Sequence, residues 1–590
     1  MQIPPNKHIE FYDLQIKANE LKWLQYANTS MKILISTKKL FLGKVWSIQE
    51  KQGTVILQFN EGEVPRMKQP YFLGFVTKDF PDNFEELTFS YKFFRESLNP
   101  KYYSCASSEI TTVAYWKTEG GYSYIIVSGF DLELITNVKE KYLEKGIHPR
   151  FVVAEKDPPV KYLICLKDFV DSNRNNAILL ENLNVRESDW SPNNIDNSQQ
   201  IVQQIINLID SQELTIIQGP PGVGKSHLAA DLCAHYAGQN YAICVTALTN
   251  KALMEIASKN GLLGLMTYGK VLKTNLTSDE QKDITKLKRV GDISPNLGEV
   301  MLSTYYMLAK QHENIIKGSQ RFDLMIIEEA SQAYLATLAM FSSIAKKVLV
   351  IGDHKQLTPI VEDMPAVSKL HPYINGVIEG LKTLAFNNSN LSYRLTKTRR
   401  LTSDAARFTG VYYDNSLQSI SALEGKTQFN SSYNSLFHQN GGISIAKMPT
   451  VMSGFKEADV VDFICQIAQD FLNLNKNMEI ALLTPYVQQE NALYTQYSKS
   501  SKDFSRITIN TVHKIQGLTT DLTIIYLPLT AAGFELNDNI FNVSTSRATR
   551  GTLILTYEHI ELISSASKET MNFLKNCKDV SQAFKTYFNK

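Results

Sequence analysis

No stretch of about 18 or more uncharged apolar residues occurs in the 590-residue chain, so no membrane-spanning helix is expected. The opening residues, MQIPPNKHIEFYD, lack the basic-then-apolar order of a secretory signal, and none is expected. Cysteine is scarce. Six residues (Cys105, Cys165, Cys233, Cys244, Cys465 and Cys577) stand singly with no CxxC pair. That spacing argues against a zinc site and a disulfide framework, and it suits a reducing cytosol or nucleus. An excess of one charge sign is also missing: 61 Lys and Arg stand against 59 Asp and Glu, for a net charge of +2. A near-neutral total leaves room for a local basic groove but does not point to one. There is no internal repeat and no low-complexity tract. The Asn-, Lys- and Ile-rich composition suggests an AT-rich genome, hence a bacterial cytoplasm ahead of a nucleus.

What is present fits a multidomain globular chain. Hydrophobic residues make up 43% and charged residues 20%, which is ordinary, and the length calls for three or four cores. Residues 8–27 repeat apolar side chains at three- and four-residue steps, the pattern of an amphipathic helix within an N-terminal stalk, 1–30. From 31 to 170 the segments MKILIS, TVILQF, EELTFSYKFF, TTVAYW, YSYIIVSGF and RFVVAE predict a mainly-β, barrel-like domain, with one helix at 133–146. A polar, Asn-rich stretch over 171–195 reads as a linker. Beyond it, buried-type strands alternate with helices in two separate units, 196–388 and 389–590, each an α/β fold on a parallel sheet.

Gly219-Pro220-Pro221-Gly222-Val223-Gly224-Lys225-Ser226 fits GxxxxGK[ST] between a strand, LTIIQ, and a helix. Glycines there let backbone N–H groups wrap phosphates, and the helix N-terminus adds a favourable dipole. Lys225 is expected on the β- and γ-phosphates of ATP, and the Ser226 hydroxyl on Mg²⁺. LMIIEEASQ ends a strand with Glu328, expected to hold Mg²⁺ through water, and Glu329, expected to polarise the attacking water. VLVIGDHKQLTPI places Gln356 at a strand's carboxyl edge, where α/β proteins bind ligands, as a γ-phosphate sensor.

These blocks resemble the superfamily 1 helicases, most of all the superfamily 1B, up-frameshift-type branch. That family reads GPPGTGKT, DEAxQ, GDxxQLxP, QYRM, TPYxxQ, TVDxFQGxExD and NVAxTRA. The matching stretches here are GPPGVGKS (219–226), EEASQ (328–332), GDHKQLTP (352–359), TRRL (398–401), TPYVQQ (484–489), TVHKIQGLTTD (511–521) and NVSTSRATR (542–550). IDNSQQ resembles the adenine motif and points to Gln199. The resemblance implies two tandem RecA-like P-loop domains behind a barrel-like accessory domain on a helical stalk. It implies that Arg400 and Arg547 reach the γ-phosphate from the second unit, with Gln488 and Gly517 in motifs lining the same cleft. For single-stranded DNA or RNA it implies Thr246, Thr249, Asn250, Ser303, Thr304, Pro485, Tyr486, Thr511 and His513.

The expected activity is ATP-driven movement on a single strand, 5′→3′ by family likeness. The alternative is an ATP-gated clamp working with a partner protein such as a nuclease. Two departures lean towards a slow ATPase: Glu328 replaces the usual Asp, and Thr519 stands where the family has Glu. No nuclease carboxylate–lysine motif and no zinc-binding N-terminal module is found. Trp46, Tyr115 and Trp116 suit core packing better than base stacking. Any further insertion between Asn250 and Met301 is expected to be small.

Overall fold

The computed structural model describes residues 3–96, 101–176, 192–318, 320–424, 429–449, 456–501, 503–515, 517–528, 536–560 and 566–588. Helix Pro5–Ala27 begins with proline at its first turn and pairs with a second helix, Val160–Ser172, to form the stalk. Phe11, Tyr12, Leu166 and Val170 bury the stalk against Tyr334 and Leu335 of the first α/β unit. Lys167 joins Asp13 across the two stalk helices at 2.6 Å. The stalk thus uses residues on both sides of the barrel, not residues 1–30 alone.

Between those helices lies a closed antiparallel barrel. Its strands run Leu40–Gln49, Thr54–Asn60, Tyr122–Ser128, Tyr103–Glu119, Pro70–Val76 and Arg150–Ala154 around the wall. Inward residues Val45, Leu57, Leu73, Ile125 and Phe151 fill it. Two expected strands are helices instead. MKILIS forms Met31–Ser36, where Ser30 Oγ accepts from Ile33 N–H, and SYKFF enters helix Tyr91–Glu96, where Ser90 Oγ accepts from Phe93 N–H. In each case a serine cap satisfies first-turn donors and outweighs the β-branched or aromatic composition that follows.

The first α/β unit is a nine-stranded parallel sheet in the order Lys288–Val290, Val271–Thr274, Val300–Thr304, Ile243–Ala247, Phe322–Ile327, Ala345–Gly352, Leu214–Gln218, Ser392–Leu395, Asn193–Ile195. Leu324 and Ile326 join one core cluster while Met325 and Ile327 join the other, as alternation in a sheet covered on both faces requires. The edge strands correct the expected boundaries. Asn193–Ile195 comes from the linker region and Ser392–Leu395 from beyond residue 388, because both complete hydrogen bonding on the sheet's open side. The stretch 251–299 adds short helices and two strands to this sheet rather than a separate domain.

The second unit is a six-stranded parallel sheet, Ile507–Thr511, Ile480–Thr484, Thr520–Tyr526, Ala548–Tyr557, Ile443–Met448, Lys578–Asp579. The barrel touches both units. Ser278 Oγ donates to Gly53 O at 2.7 Å on the first unit, and Gln69 Nε2 donates to Asn510 Oδ1 at 2.7 Å on the second. No described helix is long and apolar enough to cross a membrane.

Candidate ATP cleft and nucleic-acid surface

The loop between strand Leu214–Gln218 and helix Lys225–Gly238 turns through Gly222 at φ +76° and Gly224 at φ +93°. Those angles favour glycine, and a Cβ on Gly222 would also lie 2.7 Å from Thr398 Oγ1 and clash with Arg400 Cβ. Lys225 folds over the loop and donates to Gly219 O at 2.6 Å. Burial pushes its ammonium pKa down, against the pull of Asp353 and Glu328. Pro221 O accepts from Thr398 Oγ1 at 2.8 Å, and Val223 O accepts from Asn197 Nδ2 at 3.0 Å. The cradle is therefore braced by the start of the second unit and by the IDNSQQ segment. Gln199 itself is exposed.

Glu328 and Glu329 follow strand Phe322–Ile327, and Glu329 sits at φ +54°, a strained angle for a non-glycine residue. Glu328 Oε2 accepts from Glu329 N–H at 2.7 Å, a fold-back that its extra methylene permits. Glu328 Oε1 and Glu329 Oε2 are buried without a hydrogen-bond partner. Burial raises both carboxyl pKa values, that of Glu329 to about 8, with repulsion from Glu328 adding to the shift. The two orphaned oxygens can accept from the waters of a hydrated Mg²⁺, and the P-loop lysine beside them suits a phosphate. Ser226 lies in the first turn of the adjacent helix and adds a hydroxyl, so the donor set suits that metal.

From the second unit, Arg399 N–H donates to Gly222 O at 2.9 Å, which lays the TRRL segment along the P-loop. Arg400 Nη1 donates to Ser546 O at 3.4 Å, and Arg547 Nε donates to Val543 O at 2.7 Å. Among the described residues neither arginine, nor Lys225, has a carboxylate within ion-pair distance. Burial depresses Arg400 to about 10 and Arg547 to about 9, the latter also pushed down by Arg400. Gly517, at φ +78°, faces Glu329 Oε1 at 3.9 Å from where its Cβ would sit. Gln516 lies outside the described residues. Gln488 lines a groove with Glu457, Val461 and Thr495 on the second unit.

Gln356 is buried, and its Nε2 donates to Asp353 Oδ2 at 2.9 Å. That carboxylate belongs to a network whose other members escaped the sequence reading: Gln218, Arg394, Tyr413 and Asn542. A glutamine ending the apolar run LTIIQ, and the asparagine opening NVSTSRATR, were the visible signals. Nothing local marks Tyr413.

The nucleic-acid candidates divide. Thr246, Ser303, Pro485 and Thr511 are buried, so they present no strand-contacting surface in this conformation. Ser303 Oγ accepts from Thr274 Oγ1 at 3.2 Å inside the sheet. Thr304 and Thr249 cap helices, accepting from Met307 N–H and Ala252 N–H. Asn250 is exposed but accepts from the buried Lys273 Nζ at 3.0 Å. Tyr486 and His513 are half-buried, and burial lowers the His513 pKa. Trp116 is 46% exposed on the barrel wall beside Tyr124, with Lys117 above both rings, so packing inside the barrel is not its use. Trp46 stacks on His148, and Tyr115 lies against Phe504 of the second unit.

Fold and cleft together define a P-loop protein in which two RecA-like units face each other across a phosphate site. Family models described as AAA domain match residues 196–370 and 381–559. The ATP-dependent helicase NAM7 of Saccharomyces cerevisiae is 25% identical over 399 residues, covering 58% of this chain and 40% of its own. The DNA replication ATP-dependent helicase/nuclease DNA2 of Gallus gallus is 22% identical, covering 53% and 31%. The Schizosaccharomyces pombe helicase sen1 is 25% identical, covering 51% and 19%. These matches bear out the likeness to the superfamily 1 helicases, most of all to their up-frameshift-type 1B branch. Its match spans 40% or less of each of these three relatives.

Proposed function

We propose that the protein is a nucleic-acid-stimulated ATPase that moves along single-stranded DNA or RNA, 5′→3′, and unwinds duplex ahead of it. The observation that carries the reading is the convergence of the half-buried Lys225 and Arg400 and the buried Arg547 on one cleft, with no carboxylate within ion-pair distance among the described residues. Buried cations are expensive unless an anion enters, and the P-loop names that anion as a phosphate chain. The names of the relatives, ATP-dependent helicases among them, agree with it.

In this reading Ser226 and Glu328 hold Mg²⁺, which supplies neutralisation of the phosphate oxygens. Glu329 takes a proton from the attacking water, its Oε2 being buried without another partner. Gln356 commits its amide nitrogen to Asp353, leaving its carbonyl oxygen to orient that water. Arg400 and Arg547 stabilise charge on the transferring phosphoryl group, a role worth about 10³–10⁵ in rate. Closing of the cleft around ATP and its reopening alternate the grip of the two units on the strand.

Glu328, tied back to Glu329 N–H, favours a slow cycle and with it a second reading, an ATP-gated clamp that serves a partner protein. ATP hydrolysis measured with no polymer, with single-stranded DNA and with single-stranded RNA, beside Lys225→Ala, tests both. Strong stimulation by one polymer, with the variant slowed by about 10²-fold or more, supports a motor and names its track. Hydrolysis indifferent to both polymers sinks the translocase reading.

A further inference from the structure

Behind the phosphate site lies a fully buried polar chain that crosses from one unit to the other. Gln218, the last residue of the strand feeding the P-loop, donates from Nε2 to Asp353 Oδ1 at 3.3 Å and accepts at Oε1 from Arg394 Nε at 2.7 Å. Arg394 Nη1 donates to Tyr413 O at 3.1 Å. The Tyr413 hydroxyl donates to Asp353 Oδ2 at 2.6 Å, the same oxygen that accepts from Gln356 Nε2 at 2.9 Å. That hydroxyl also accepts from Asn542 Nδ2 at 2.7 Å. Asn542 sits in helix Asp538–Thr545, which runs directly into Arg547, and it further donates to Lys355 O at 2.7 Å. Its Oδ1 is buried without a partner, so only its amide nitrogen ties this side chain into the chain of bonds.

Buried polar groups cost free energy unless satisfied, and a chain of them moves as a unit because each bond fixes the next. One atom, the Tyr413 oxygen, joins the carboxylate that holds Gln356 to the helix that carries Arg547. We propose that Tyr413 is a positioning residue that locks the orientation of Gln356 to the placement of Arg547, so that hydrolysis becomes competent only when the two units are correctly set. A shift of helix Asp538–Thr545 pulls on the hydroxyl, turns the Asp353 carboxylate and re-aims the Gln356 amide. Tyr413 touches neither phosphate nor water in this scheme, which rests on the ATPase reading above.

Tyr413→Phe keeps the ring and removes the junction. Its kcat for ATP in the presence of the stimulating polymer should fall about tenfold, the worth of a buried bond to a charged group, with KM for ATP unchanged. The double variant Tyr413→Phe/Asn542→Ala should be no slower than the slower single variant, since both cut one chain. A merely structural tyrosine would lower the melting temperature and leave that kinetic split absent. Should the phenylalanine variant melt early, Asn542→Ala is read in its place. Wild-type kcat in the readable variant, losses that multiply in the double variant, or a rise in KM alone would overturn the proposal. If the wild-type chain itself fails to hydrolyse ATP, the function reading falls first and takes this one with it. A stimulated wild type beside an unaffected Tyr413→Phe removes this inference alone.

Discussion

At Gly222 a single hydrogen atom permits a close approach of the two units. The loop there needs a positive φ, and the space a Cβ would take is filled by Thr398 Oγ1 and Arg400. Gly222→Ala meets both penalties: about 1–2 kcal/mol for the left-handed angle and a steric push on the arginine. ATP binding should weaken at least tenfold, read by equilibrium titration of a fluorescent ATP analogue. Binding within twofold of wild type would show that the loop and the TRRL segment separate more freely than their contact suggests. Glycine spacing made this site legible in sequence, because wrapping a phosphate demands contiguous residues. Tyr413 was not legible for the opposite reason. Its partners Asp353 and Asn542 lie 60 and 129 residues away, and no local pattern announces a hydroxyl shared between them.

Among elements, the barrel loop 66–69 carries the most consequence. Lys68, at φ +57°, sends its ammonium to Ile507 O at 2.8 Å and to Thr508 Oγ1 at 3.3 Å, while Arg66 reaches the buried Glu490 at 3.1 Å. Lys514 meets the same glutamate from within the second unit. These bonds dock the barrel on the second unit, whereas Ser278 and Asp279 hold it to the first. Glu490→Gln would leave two cations without their shared anion and should cost about 1–2 kcal/mol locally, since Arg66 and Lys514 both reach solvent. Faster amide exchange confined to loop 66–69 and helix Val487–Ser500 would register that loss, and unchanged exchange would refute the docking role. The strands of the barrel were legible from alternation, as were the parallel sheets from their apolar runs. MKILIS and SYKFF have the composition of strands, but the serines before them cap helices and decide the outcome. The edge strands at 193–195 and 392–395 hide because three or four residues carry too little pattern to show a period.

At the scale of the whole molecule, a net charge of +2 conceals how unevenly charge is spent. Surface lysines such as Lys7 and Lys346 meet acids, Glu10 and Asp323, whereas Lys225, Arg400 and Arg547 crowd one cleft, drawn from both units. Their mutual repulsion works against closure until an anion arrives, so a nucleotide should act as the missing part of the fold. Ligand at about 100 times its dissociation constant stabilises by about 2.7 kcal/mol. For an α/β unit of about 200 residues melting as its own transition, that corresponds to a rise of about 6 °C in melting temperature. Because the cations come from both units, the rise should appear in whichever transitions involve either unit. Arg400→Ala should abolish the part belonging to the second unit while leaving the first unit's shift in place. Differential scanning calorimetry with a non-hydrolysable ATP analogue and Mg²⁺ makes the measurement. A shift confined to one transition in the wild-type protein would mean that the nucleotide is held by the P-loop unit alone, and the clamp across the cleft would have to be abandoned.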